Sequence, residues 1–212
     1  MRNVLVLLVL AVSSGAAHGQ GNSADALFAA IRDGRELAAE GMVLRYGADV
    51  DARTLDGETP LHKALEKGMK DLVRALLDAK SSVTARTANG ETPLHMAALN
   101  QEPYFAAMLI TAGAPVKARN DDGESALFWA ALSGNVATAQ RLLEAGGDPD
   151  MPDLRGSLPL HAAADVGSVD MVRLLLARTS APAARNRDGL CAYDLARERG
   201  HEDVAKLLEF TR

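Results

Sequence analysis

Apolar residues recur along the chain at the spacing of a helix. After Gly68, the residues Leu72, Val73, Leu76 and Leu77 stand one, three and four positions apart, which places them on one helical face. A shorter apolar segment, from about Pro60 to Lys67, precedes this stretch. The final apolar pair recurs as Leu109-Ile110, Leu142-Leu143 and Leu175-Leu176. The pattern predicts pairs of short helices, repeated along the chain.

The repeat has a fixed period. Five glycines stand 33 residues apart and the sequence after each aligns without gaps: Gly57, Gly90, Gly123, Gly156 and Gly189. An upstream copy, DALFAAIRDG from Asp25, is offset by 34 residues, so one residue is inserted near Gly41. One helix pair buries too little apolar surface to offset its ordering entropy, whereas stacked copies bury one another. The period therefore predicts a stacked array.

Each unit carries its own turn and helix boundaries. The dipeptide Asp56-Gly57 is typical of a tight turn, and Thr59-Pro60 reads as an N-cap followed by proline at the first helical position. Gly68 then predicts the end of the first helix. Small residues recur where neighbouring first helices must approach closely: Ala64, Ala97-Ala98, Ala130-Ala131 and 162–164.

The period, the turn glycine and the sequence TPLH resemble the ankyrin repeat, over about residues 24–212. The resemblance implies an all-α solenoid of stacked helix-turn-helix units joined by β-hairpin turns, with the hairpin tips and first helices forming a concave binding face. It predicts a capping repeat at 20–56, four full repeats at 57–89, 90–122, 123–155 and 156–188, and a C-terminal capping repeat at 189–212.

The first 19 residues predict a secretory signal peptide. Arg2 precedes the apolar run VLVLLVLAV, and small and polar residues follow. Nine apolar residues are too few to span a bilayer as a mature helix. The leader resembles those of exported bacterial ankyrin proteins, so we expect a periplasmic location, with full secretion as the alternative and no membrane insertion after cleavage.

Composition narrows the partner. Aromatic residues make up 4% of the chain, so the core must consist of Ala, Leu and Val. The formal net charge is −5, and removing residues 1–19 takes away Arg2 and no acid, which leaves −6. An acidic chain argues against nucleic acid or an anionic membrane as partner. The single Cys191 excludes an internal disulfide, and we expect a monomer.

The histidines of the repeat predict structure rather than metal binding. His62, His95 and His161 hold the same place in three copies. Packed helices lie about 8–10 Å apart, too far for one residue per repeat to converge on one ion. The resemblance implies that His62 and His95 bond the capping residues Thr59 and Thr92. His161 lacks that partner because Leu158 replaces the threonine.

Other candidate reactive groups have ordinary structural interpretations. Cys191 takes the capping threonine position of the last copy, so it is either a small structural substitution or a reactive thiol at a helix N-terminus. His201 follows a loop glycine and is expected to be exposed. Nucleophile, phosphate-loop, metal and paired-carboxylate motifs are not found, so no catalytic residues, cofactor or metal are predicted.

The predicted concave face carries the functional signal. Acidic side chains form a ridge along the tips, and Arg53, Arg86, Arg119 and Arg185 at the tip bases would neutralise part of it. Trp129 on a first helix is either an interface anchor or a filler between repeats, and for its neighbour Phe128 packing is favoured. The candidate partner-binding residues are Leu55, Asp56, Glu58, Glu91, Leu99, Asp121, Asp122, Glu124, Trp129, Leu132 and Leu154.

The third repeat departs from the pattern, because 100–103 replaces the glycine loop and Pro103 is expected to open the second helix. That loop is either a partner contact or a tolerated variant. The whole sequence predicts a non-enzymatic scaffold that binds a protein partner in the periplasm. Alternatives are an immunity or protective protein that occludes one enzyme or toxin, an enzyme, and a protein delivered to a host cell.

Overall fold

The computed structural model describes residues 19–211. The predicted leader lies outside the described residues except for Gly19, with which the first helix begins. Twelve α-helices and no strands occur within this range, so the predicted all-α array is confirmed. The first helices of the pairs are α1 Gly19–Arg32, α3 Pro60–Glu66, α5 Pro93–Leu99, α7 Ala126–Leu132, α9 Pro159–Asp165 and α11 Ala192–Arg199.

The second helices lie behind the first ones. They are α2 Glu36–Tyr46, α4 Lys70–Asp78, α6 Pro103–Thr111, α8 Val136–Glu144, α10 Val169–Leu176 and α12 Glu202–Leu208, followed by a short 3-10 turn at Glu209–Thr211. First helices pack on first helices and second helices on second helices. None of these helices is both long enough and apolar enough to cross a membrane.

Small residues let the first helices approach closely. Ala97, Ala98, Ala130, Ala131 and Ala163 are fully buried between them. The larger buried side chains, including Leu72, Phe105, Leu109 and Leu142, lie between the two layers and in the second layer. One continuous apolar core therefore runs through all the repeats, and the side with the smaller residues is the side toward which such a stack curves.

The tips are five-residue turns without a regular sheet. In each tip the first residue's N–H donates to the carbonyl of the fifth, as from Thr54 to Glu58 at 2.9 Å. Each tip is also bonded to the next, as from the Ala88 N–H to the Asp56 carbonyl at 2.7 Å. The tips occupy 54–58, 87–91, 120–124, 153–157 and 186–190. The glycine in each has a positive φ, which side chains disfavour.

The two irregular places of the sequence have local structural causes. The residue inserted near Gly41 lengthens α2, which has 11 residues where α4 has 9. In the third repeat, Pro103 opens α6 as expected. The Asn100 amide donates to the Leu65 carbonyl at 3.1 Å, and its own carbonyl accepts from the Asn135 amide at 2.6 Å. The loop without glycine therefore ties three successive repeats together.

Thr138 is buried in the second layer without a hydrogen bond for its hydroxyl. Its Oγ1 has no partner among residues 19–211, and the equivalent positions hold Leu72, Phe105 and Met171. Because an unpaired buried hydroxyl is unfavourable, Thr138→Val should stabilise the protein by about 1 kcal/mol in urea unfolding. Thr138→Ser, which keeps the hydroxyl and loses the methyl, should destabilise it. Lower stability of the valine variant would contradict this assignment.

Candidate functional site

Buried imidazoles fix the first helices and the tips relative to each other. In the second repeat the Thr59 backbone N–H donates to His62 Nδ1 at 3.2 Å, and the Thr59 hydroxyl lies 2.9 Å from the same atom. Because a backbone N–H can only donate, Nδ1 is the acceptor and Nε2 carries the proton. Nε2 lies 3.3 Å from the Glu91 carbonyl of the next tip and donates to it.

The same arrangement recurs in two further repeats. His95 bonds Thr92 and donates to the Glu124 carbonyl at 3.0 Å. His161 accepts from the Leu158 N–H at 3.0 Å and reaches the Leu190 carbonyl at 3.2 Å. The backbone N–H of the capping residue is therefore a sufficient partner where the threonine is missing. Each imidazole links its own helix to the following tip.

These histidines are held neutral. Burial lowers the pKa of His62 from 6.5 to about 4, although the Glu91 carbonyl acts in the opposite direction. Burial also lowers the pKa values of His95 and His161. A protonated Nδ1 would lose its acceptor role toward the capping N–H. Within residues 19–211, no three His, Cys, Asp or Glu side chains are grouped so that they could hold a metal ion.

Three other predicted structural residues are also engaged. Phe128 is buried in place of a histidine, and its N–H donates to the Ser125 hydroxyl at 3.2 Å. Cys191 is fully buried, and its thiol donates to an Asp194 carboxylate oxygen 3.2 Å away. His201, expected to be exposed, is half-buried instead, because Nε2 bonds the Asp165 carbonyl at 3.0 Å across the preceding loop.

Trp129 combines the two roles that the sequence left open. Its indole Nε1 donates to Glu124 Oε2 at 2.7 Å, and its ring meets the His95 ring edge-on at a centroid distance of 5.3 Å. The side chain is half-buried against the core. One edge thus packs between the third and fourth repeats, and the remainder faces the solvent in a fixed orientation.

An apolar patch surrounds Trp129. Leu99 and Leu132 occupy the same position on the neighbouring helices α5 and α7, and they are 46% and 44% exposed. Met96, the counterpart of Trp129 on α5, is half-buried one turn earlier. We refer to Met96, Leu99, Trp129 and Leu132 as the apolar patch. Met96 was missed in the sequence, although its 33-residue offset from Trp129 could have identified it.

The acidic ridge is smaller than the sequence predicted. Glu58 forms an ion pair with Lys63 at 2.7 Å, Glu91 accepts from the Thr87 hydroxyl at 3.0 Å, and Glu124 accepts from Trp129 and Asn120. These three carboxylates stabilise the tips and the first helices. Asp121 pairs with Arg86 at 3.1 Å. Among the described residues, the carboxylates of Asp56 and Asp122 have no hydrogen bond or ion pair, and both are exposed.

The recurring arginines bridge tips rather than neutralising the ridge. Arg53 donates to the Gly57 carbonyl of its own tip at 3.0 Å and to the Arg86 carbonyl of the next repeat at 2.8 Å. Arg86 and Arg119 reach the next repeat in the same way. Of the four, only Arg86 pairs with a predicted ridge carboxylate. The expected neutralisation is therefore wrong for the others, because their donors are used by backbone carbonyls.

The tips also enclose a polar cavity and carry apolar residues. A cavity of about 290 Å³ lies between the second and third repeats, where Asp56, Glu58 and Glu91 contribute carboxylates. Leu55 is fully exposed at its tip. Leu154 is 51% exposed and lies over the preceding tip, because a Cβ on Gly123 would meet its Cγ at 3.2 Å. Neither leucine belongs to the apolar patch.

Comparison with known proteins identifies the family. A family model described as "Ankyrin repeats (3 copies)" matches residues 2–87, 27–120, 84–153 and 127–209. No curated protein gives a significant match. Ankyrin repeats generally mediate protein–protein interaction, and the family is typically non-enzymatic. From its repeats, its capping histidines and this match over nearly its whole length, the chain belongs to the ankyrin-repeat family.

Proposed function

We propose that the protein is a non-enzymatic scaffold of the periplasm that binds a protein partner through its concave face. The observation that carries this proposal is the apolar patch, exposed on two adjacent first helices and bordered by the unpaired carboxylates of Asp56 and Asp122. Contiguous exposed apolar side chains with a polar rim are typical of protein interfaces. The partner segment would combine apolar side chains with Lys or Arg.

The surface is preformed. Trp129 is held by Glu124 and His95, and the tips beside it are joined to one another by backbone hydrogen bonds such as that from the Asp121 N–H to the Asn89 carbonyl at 2.9 Å. A partner would therefore bind without ordering these groups, which lowers the entropic cost of association. The exposed leucines Leu99 and Leu132 provide the area that becomes buried.

The periplasmic location rests on the predicted leader of residues 1–19. The net charge of −6 after its removal favours a basic partner and disfavours an anionic membrane surface. Mass spectrometry of the protein recovered from the cell envelope would test this location. A new N-terminus near Gln20 supports export, and an intact Met1 in a cytoplasmic fraction would contradict it.

Replacing Trp129 with alanine should weaken partner binding by about 30-fold or more, mostly through faster dissociation. The measurement is surface-based binding of a partner first captured from envelope extract by the wild-type protein. Asp122→Lys should instead slow association and reduce its salt dependence. Circular dichroism must show both variants folded; a folded Trp129→Ala variant with unchanged dissociation would rule out the patch.

A matched control uses exposed apolar residues at two places. The double variant Leu99→Asp/Leu132→Asp places charges in the apolar patch, whereas Phe210→Asp changes a 96% exposed residue at the far end of the chain. We expect the double variant to lose the partner and the Phe210 variant to retain it. Equal loss in both would mean that capture depends on general hydrophobicity and not on the concave face.

A further inference from the structure

The second helix of the first repeat has an unusual solvent-facing side. On α2, Leu37 is 82% exposed and Leu44 is 58% exposed. The positions equivalent to Leu37 in the later repeats hold Asp71, Tyr104, Ala137, Asp170 and Asp203. Charged residues thus keep most second helices soluble at this position. Only the first repeat places a large aliphatic side chain there.

The exposed residues form one stripe. Leu37, Gly41 and Leu44 are spaced i, i+4 and i+7, so they lie on one face of the helix. The opposite face carries the buried Ala39 and Val43. A Cβ built on Gly41 would meet no atom within 4 Å, and its φ is not positive. The stripe therefore points away from the core, with open space above its centre.

Two unpaired charges flank the stripe, one on each side. Glu40 precedes Gly41 and Arg45 follows Leu44, and neither has an ion pair or side-chain hydrogen bond within residues 19–211. In heptad terms, Leu37 and Leu44 are d positions, Gly41 is an a position, Glu40 is g and Arg45 is e. The g residue of one helix meets the e residue five positions later on a parallel partner. Glu40 and Arg45 have this spacing and opposite charges.

We propose that α2 pairs in parallel with α2 of a second copy of this chain, about a two-fold axis along the helices. Leu37 would pack against the partner copy's equivalent leucine, and Leu44 likewise, while Gly41 lets the helices approach closely. Two symmetric ion pairs between Glu40 and Arg45 would set the parallel orientation. An antiparallel pair would instead place like-charged flanks together.

A second copy fits this face better than other occupants. An anionic membrane surface would attract a basic helix, whereas this face carries one acid and one base and the chain is acidic overall. A different protein would need an opposing helix with the same d, g and e pattern, which α2 itself supplies. The contact has two leucine layers, so the dimer is weak and concentration-dependent. It replaces the monomer expected from sequence.

Sedimentation across a wide concentration range tests the proposal, using the full chain in whatever form the expressing cell leaves its N-terminus. We expect a reversible monomer–dimer equilibrium that Leu37→Glu/Leu44→Glu shifts to monomer. The matched control, Leu99→Glu/Leu132→Glu, changes two exposed leucines of the concave face and should dimerise like the wild type. A monomer at all concentrations, or dimers lost equally in both variants, would overturn the proposal.

Charge exchange tests the orientation. Glu40→Arg and Arg45→Glu should each weaken dimerisation about tenfold, and the double exchange should restore it. In a Cys191→Ser background, Leu37→Cys and Gly41→Cys should each form a disulfide with the same residue of a second copy, because a parallel axis passes both positions. Failure of the double exchange, or cross-linking confined to Gly41, would contradict parallel pairing. The concave-face proposal is unaffected by either outcome.

Discussion

Acidification below pH 6.5 should destabilise the protein, with His62 alone contributing about 3 kcal/mol once the pH reaches about 4. The pKa of His62 falls from 6.5 in the unfolded chain to about 4 in the folded protein. The unfolded state therefore binds the proton first as the pH falls. Stability is complete above pH 6.5 and is lost progressively between pH 6.5 and 4. His95 and His161 act in the same direction.

Urea unfolding followed by circular dichroism at several pH values between 7 and 4 measures this loss. The control is built into the chain, because the fourth repeat replaces the histidine with Phe128 and caps its helix with Ser125. The double variant Thr59→Ser/His62→Phe copies that solution in the second repeat. We expect it to fold and to lose less stability than the wild type over this range. Identical pH dependence in both proteins would show that His62 is not responsible.

Removing the aromatic ring of Phe105 should cost about 3–5 kcal/mol. Phe105 is 2% exposed and is among the largest fully buried side chains of the described residues. It lies in α6, which packs against α5 in its own repeat and against α8 in the next. Because neighbouring repeats stabilise one another, a cavity here weakens the coupling between the two halves of the array. Urea unfolding should show a large loss of stability and a broader transition.

Phe105→Leu is the matched control, since the second repeat carries Leu72 at the equivalent position. We expect it to cost about 1–2 kcal/mol and to keep a single transition. Comparable losses for the alanine and leucine variants would indicate that the site tolerates neither shape, and that cavity size is not the cause. A loss below about 1 kcal/mol for Phe105→Ala would contradict the assignment of Phe105 to the core.

The helix pattern was predictable because its causes are local. Apolar spacing, the TPLH segments and the loop glycines determine where α3 Pro60–Glu66 and its counterparts begin and end. The paired roles of Thr59 and His62 were also predictable, since a cap residue and the third residue of its helix are neighbours in any first turn. His201 was predicted wrongly because its partner, the Asp165 carbonyl, is 36 residues away.

The candidate site was predictable only in part. Leu99, Leu132 and Trp129 could be placed on one face, because a fixed period brings equivalent positions together. The choice between packing and binding for Trp129 depended on His95 and Glu124, which the fold brings to it. The acidic ridge was overestimated for the same reason. Glu58 and Glu124 find partners, Lys63 and Trp129, five residues later on the first helix, and spacing alone does not reveal these contacts.

The sequence by itself determined the repeat, the helix ends and the family, because each depends on residues close together along the chain or on an exact period. Only the tertiary structure decided which charges remain free and which apolar residues are exposed. Asp56 and Asp122 look like Glu58 and Glu124 in the sequence, and Leu37 looks like any helical leucine. Their exposure is set by what packs against them from other repeats, and that depends on how the helices stack in space.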